Sequence, residues 1–338
     1  MISIKIKRKI FIFIVSITLL FPSIQIFAKA KNVVLVHTSL NWSNVVLEKI
    51  MGFKETMGNE FVFIDLLLDI DSVSQADNNS MVYNVVDDIL KIDPVIVYLM
   101  DDNALSFVGK HVDESIPLVF STTGDPYKGD HSWLKSARNI KGVLVRPFII
   151  KGIKEVNRVF KLQAKKVLVL MSDTEKSRRT LMSEFSSQDI AESDSLVIDL
   201  FISNKLAEWK NKILSLKNDG YDMFMVADAL VLQDNFNLIK EVEDTVKWIS
   251  RNSSVPGFSM HDEFIGRHGL VAGLVPNGYF IGASVADIAM DVLKIRAEPN
   301  LIVQDFIQAE EFKYSQVQVD RWGLTLSQPY HYYMVAQD

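Results

Sequence analysis

The chain has 338 residues, of which 48% are apolar, 23% charged and 10% aromatic; this is enough for two domains of ordinary size and too apolar for a disordered or collagen-like chain. A formal charge of −6 leaves no basic footprint, so no nucleic-acid partner is expected. The absence of cysteine excludes disulfide scaffolds, thiol catalysis, cysteine-based metal sites and cysteine-linked lipid anchors.

The chain opens with an address. Lys5, Lys7, Arg8 and Lys9 stand in the first nine residues without an acid, residues 10–27 are mostly apolar, and Ala28-Lys29-Ala30 follows. That order describes a secretory signal peptide over residues 1–30, cut after Ala30. The rival reading is an uncleaved anchor, since the stretch comes near spanning length; Pro22, Ser23 and Gln25 weaken its far end. Cleavage removes five lysines and arginines and no acid, taking the formal charge from −6 to −11. Exported eukaryotic domains lean on disulfides, so an exported chain without cysteine fits the Gram-negative periplasm. The Asn-x-Ser matches at Asn41, Asn78 and Asn252 are then chance.

After residue 30 the pattern alternates. Asn32–His37 is a β-branched run that predicts a strand, and Val45, Val46, Ile50 and Phe53 have helical spacing, with Gly58 beyond their end. Phe61–Leu67 predicts a strand, Met81–Leu90 a helix, Pro94–Met100 a strand, Asn103–Lys110 a short helix and Pro117–Phe120 a fourth strand. A second array follows: helix Gly152–Phe160, strand Lys166–Met171, helix Ser177–Gln188, strand Ser195–Phe201, helix Leu206–Lys217, strand Asp222–Val226, helix Phe236–Ser250, and strands Val255–Ser259 and Gly269–Val275. Gly278–Ile295 is a long helix, and an extended tail carries a short helix near Val319–Trp322. Apolar strands separated by helices describe parallel sheets covered on both faces. The expected fold class is α/β, with two doubly wound lobes joined by several chain crossings because no flexible linker separates the arrays. Residues 31–145 plus about 275–300 would form the N-terminal lobe, and 146–274 plus about 301–338 the C-terminal lobe.

No phosphate-binding glycine loop, zinc-protease or nucleophile-elbow motif occurs. His261, Asp262, Glu263 and His268 match no standard metal spacing and are expected in a surface loop. The acid pairs Asp87-Asp88 and Asp101-Asp102 lack a nucleophile or metal partner that would make them catalytic. No catalytic residue, metal or cofactor is expected. The informative feature is the polar turn after each strand: Thr38–Trp42, Asp101–Asn103, Ser121–Asp125, Ser172–Thr174, Ala227-Asp228 and Ser259–Asp262. Ligands of open α/β sheets bind outside the carboxyl ends of the strands, and helix N-termini there can hold a carboxylate. Each turn taken singly is better explained as a helix cap than as a ligand contact, and the set carries more than any member. Trp42 could stack on a ligand or pack within its own lobe.

Three stretches resemble the ABC-transporter substrate-binding protein family of the tryptophan/tyrosine type, which has a type I periplasmic binding fold. Ile116–Ser121 with Gly124-Asp125-Pro126 looks like one family element, Asn139–Val143 like a second, and Glu311–Tyr314 through Trp322–Leu326 like the terminal one. Their order fits nearly all of residues 32–326. Departures are Arg138 and Lys141 in the second element and Ser315 and Val319 in the last. Carried over by position, the resemblance implies ligand contacts at Ser39, Asn41, Trp42, Asp101, Asn103, Thr122, Thr123, Ser172, Asp173 and Asp228. It also implies a small-molecule ligand, among which the family includes aromatic amino acids, and an ABC permease of the inner membrane as partner. The expected protein is a monomeric periplasmic binder acting by hinge closure. A ligand sensor feeding a signalling receptor, or an exported α/β hydrolase, are the alternatives.

Overall fold

The computed structural model describes residues 31–38, 44–68, 75–123, 129–145, 148–185, 196–227, 232–234, 236, 238, 241–295, 303–304 and 309–327. It has an α/β fold built on two parallel sheets. The first holds β1 (Lys31–His37), β2 (Phe61–Leu67), β3 (Ile96–Leu99), β4 (Leu118–Thr122), β5 (Ile140–Leu144) and β11 (Val303–Gln304), in the order β11-β5-β4-β3-β1-β2. The second holds β6 (Lys166–Met171), β7 (Val197–Ile202), β8 (Met223–Val226) and β9 (Gly257–Ser259), in the order β7-β6-β8-β9.

The central strands form because their apolar runs are buried on both faces. Val33, Val34, Leu35 and Val36 of β1 are all fully buried, as are Met223 through Val226 of β8. One face of the first sheet packs on α1 (Asn44–Met57) and α8 (Gly278–Ile295), through Ile50, Phe53, Ile281, Val285 and Ala289. The other packs on α2 (Gln75–Ile92) and α3 (Asp102–Phe107), through Val82, Val86, Ile89 and Leu105. The second sheet is covered by α4 (Ile149–Phe160) on one face and by α6 (Leu206–Ser215) and α7 (Val242–Asn252) on the other. Two pairs of apolar clusters, one pair per sheet, make two lobes.

β5 was not among the strands expected from periodicity, because Lys141 and Gly142 interrupt its pattern. Gly142 is needed there: an added Cβ would lie 2.4 Å from the Phe120 ring of neighbouring β4. α7 begins at Val242 and not at Phe236. The Asp234 carboxylate instead accepts the N–H groups of Phe236 at 2.8 Å and Leu238 at 3.0 Å, holding that stretch as a turn.

The strand expected at Gly269–Val275 is also placed differently. β10 (Ala272–Pro276) belongs to neither parallel sheet; it pairs antiparallel with β12 (Glu310–Tyr314). This pair runs between the lobes. At one end Ala272 and Tyr314 join the core of the second sheet; at the other the Asn277 N–H bonds the carbonyl of Ala309, which lies in the core of the first. Between the two strands of this pair in the chain, β11 pairs with β5, so the chain returns to the first lobe after α8 instead of passing to the second at about residue 301. With the passage from β5 to α4, the lobes are joined by three crossings.

Candidate functional site

The carboxyl ends of the strands carry the polar turns. In the first lobe, Asp101 follows β3 and caps α3: its Oδ1 accepts the Ala104 N–H at 2.8 Å and the Thr38 hydroxyl at 3.1 Å, and its Oδ2 accepts the Thr38 N–H at 2.9 Å. Asp101 therefore ties the turn after β3 to the end of β1. Burial holds its pKa above the ordinary 3.8, against the opposing hydrogen bonds from Ala104 and Thr38 and the charge of Lys49.

Asp102, absent from the expected contacts, gathers two residues that were among them. Its Oδ1 accepts the Thr122 hydroxyl and, at 3.2 Å, the Thr123 N–H; its Oδ2 accepts the Thr123 hydroxyl at 2.7 Å. Thr122 is buried and Thr123 exposed, while Asn103 is half-buried on the first turn of α3. The turns after β1, β3 and β4 thus form one hydrogen-bonded surface.

In the second lobe Ser172 is fully buried at the end of β6. Asp173 is exposed, and its carboxylate accepts from the Arg178 guanidinium at 2.7 Å, on α5 (Glu175–Phe185). Thr174 Oγ1 accepts the Ser177 N–H at 3.1 Å, a helix cap. Asn204, beyond β7, was missed from sequence. Its side chain accepts the Asp173 N–H at 2.7 Å and donates to the Asp173 carbonyl at 3.0 Å, and its backbone carbonyl accepts the Gln233 N–H at 2.7 Å. It therefore stitches together the turns after β6, β7 and β8. The polar pair Ser203-Asn204 after an apolar strand was the available signal. Farther along the chain after β8, Phe236 is 82% exposed and Leu238 61%. Ser39, Asn41, Trp42 and Asp228 lie outside the described residues.

One element at a strand carboxyl end from each lobe comes together at Lys313. Asp262 stands just beyond β9, and Glu48 and Asn44 stand on the opening turns of α1, which follows β1. Lys313 of β12 lies between them, its Nζ 3.4 Å from Asp262, 3.6 Å from Glu48 and 2.9 Å from Glu311. Burial pushes the Asp262 carboxyl up, Glu263 adds to that, and Lys313 and the Asn44 side chain oppose it. His261 and Glu263 approach to 3.5 Å beside it. Among the described residues, no group of three or more histidines and carboxylates is arranged to hold a metal ion, and no helix is long and apolar enough to cross a membrane.

No protein-family model matches the chain, and no curated protein matches it in sequence. Solved structures do match its fold. A substrate-binding protein with adhesive properties from Clostridium difficile, in its ligand-free, open form, is 13% identical with a TM-score of 0.68, over 91% of this chain and 100% of that one. An ABC domain from Streptococcus pneumoniae in complex with L-Trp is 17% identical with a TM-score of 0.61, over 90% and 100%. A LacI transcriptional regulator from Lactobacillus brevis is 12% identical with a TM-score of 0.54, over 83% and 99%. The fold is therefore that of type I periplasmic binding proteins, and LacI regulators share it.

Proposed function

We infer that the chain is a solute-binding protein: it captures a small polar ligand, an amino acid by resemblance, between its two lobes and hands it to an ABC permease after export to the periplasm. The observation that carries this reading is the meeting of one element at a strand carboxyl end from each lobe, where Asp262 beyond β9 and Glu48 of α1 share Lys313. Open α/β sheets bind ligands outside those ends. A ligand touched by both walls favours the closed form over the open one by its extra contacts, which is what hinge closure requires. No reaction is catalysed.

In this reading residues 31–145 with α8 and β11 act as one lobe and the second parallel sheet with its helices as the other, β10 and β12 crossing between them. Asn103, Thr123 and Asp173 contribute contacts from the turns described, and Ser39, Asn41, Trp42 and Asp228 complete the set. Exposed Phe236 and Leu238 suit a ligand with an apolar portion beside its polar groups. The test is a thermal-shift panel of amino acids, short peptides, sugars and polyols. A ligand that binds only the folded state adds about 2.7 kcal/mol at one hundred times its Kd, so one chemical class should raise the melting temperature in a dose-dependent way. A panel without any shift overturns the reading.

A further inference from the structure

Lys313 is the buried cation of the chain's crossing strands. Its side chain is 6% exposed, and three carboxylates from different elements surround it: Glu48 from α1 in the first lobe, Asp262 from the turn after β9 in the second, and Glu311 from its own strand. Glu48 also accepts the Gly278 N–H at 3.2 Å, at the start of α8. Asp262 is fully buried, and its Oδ1 has no partner among the described residues. Gly273 lies opposite Lys313 on β10. A Cβ there would fall 1.6 Å from the Ser259 carbonyl oxygen, so the strand pair lies hard against β9.

We propose that Lys313 is the tie that sets the angle between the lobes, holding α1 of one and the turn after β9 of the other from a strand that crosses between them. The charges fix the sign of the effect. Burial works to lower the pKa of Lys313, but Glu311, Asp262 and Glu48 outweigh it and hold it above the usual value, so the ammonium stays charged. Without that cation, Glu48 and Asp262 become two like charges facing each other across the gap, in surroundings where charges are weakly screened. Their repulsion acts along the direction that separates α1 from the turn after β9. Glu263, 3.5 Å from His261, adds a further negative charge on that turn.

The test needs no ligand, so its outcome is independent of the solute-binding reading. Small-angle scattering of the chain, with a radius of gyration of about 20 Å expected for a compact form of this size, is compared for wild type, Lys313→Met and Lys313→Met/Glu48→Gln. Lys313→Met is expected to increase the radius. Adding Glu48→Gln, which removes one of the two facing charges, is expected to reverse most of that increase. A mere packing defect at position 313 would not be relieved by a change on α1. Should Lys313→Met fail to fold, Glu48→Gln alone removes the first-lobe arm of the tie and is expected to expand the wild type slightly. Lys313→Met scattering that superimposes on the wild type, a double variant as expanded as the single one, or, in the fallback, an unchanged Glu48→Gln profile, overturns the proposal.

Discussion

Asp101 accepts two N–H groups and a hydroxyl, and in doing so holds the start of α3 against the end of β1. Replacing it with alanine leaves those donors unmet at a half-buried site. Asp101→Ala is therefore expected to lower stability by about 1–3 kcal/mol, read as a fall in the urea midpoint with an unchanged slope. Because burial holds its folded pKa above 3.8, the native state keeps this proton more tightly than the unfolded chain does. The stability that follows is full below about pH 3.8 and declines as the pH rises through the raised value. The wild type's margin over Asp101→Asn should accordingly narrow as the pH rises above about 3.8; a margin that widens instead refutes the assignment. The turn itself was legible in the sequence, as a pair of acids after an apolar strand. The division of labour within it was not. Adjacent turn residues project in different directions, and nothing in the sequence says that Asp102, and not Asn103, would gather Thr122 and Thr123. Lys313 was hidden for a different reason: in Glu310–Tyr314 it reads as an ordinary solvated charge, and only contacts with α1 and the turn after β9 bury it.

The packing of α1 on α8 depends on backbone approaching backbone. A Cβ at Gly282 would lie 2.0 Å from the Lys49 carbonyl oxygen, and one at Gly52 would lie 2.1 Å from that of Tyr279. Neither carbonyl can move without shifting its helix. Gly282→Ala is thus expected to cost about 1–3 kcal/mol as an overpacked contact, despite alanine's better helix propensity. Gly152 on α4 is the opposite case, since its nearest neighbour would be the flexible Met225 side chain at 3.6 Å. There Gly152→Ala should raise stability by up to about 1 kcal/mol. Thermal melts of the two variants check the signs, and Gly282→Ala melting at or above the wild type would refute the contact. Most strands and helices were readable because burial on both faces leaves a continuous apolar run. β10 misled because an apolar run does not disclose its partner: the same pattern fits a parallel array and an antiparallel pair. α7 misled at its start because Phe236 and Leu238 are apolar but exposed, held in a turn by Asp234.

Three crossings between the lobes mean that neither is a continuous piece of chain. The first sheet is nearly complete once β5 has been passed, yet the face that carries Ile50 and Phe53 is finished only by Ile281, Val285 and Ala289 of α8, which follow the entire second sheet. The order in which a ribosome delivers the chain is therefore not the order in which the lobes close. A chain stopped at Asn277 would contain every strand of the second sheet and still lack the helix that seals the first. Such a fragment is expected to bind a hydrophobic dye and to be cut by protease within α1, whereas the chain through Ser327 resists; equal resistance would contradict the packing described. It follows that the first half of the molecule stays adhesive until the whole second sheet has been made and α8 has emerged behind it. A cell making it must either shield that surface during translation or thread the chain unfolded across a membrane before it can settle.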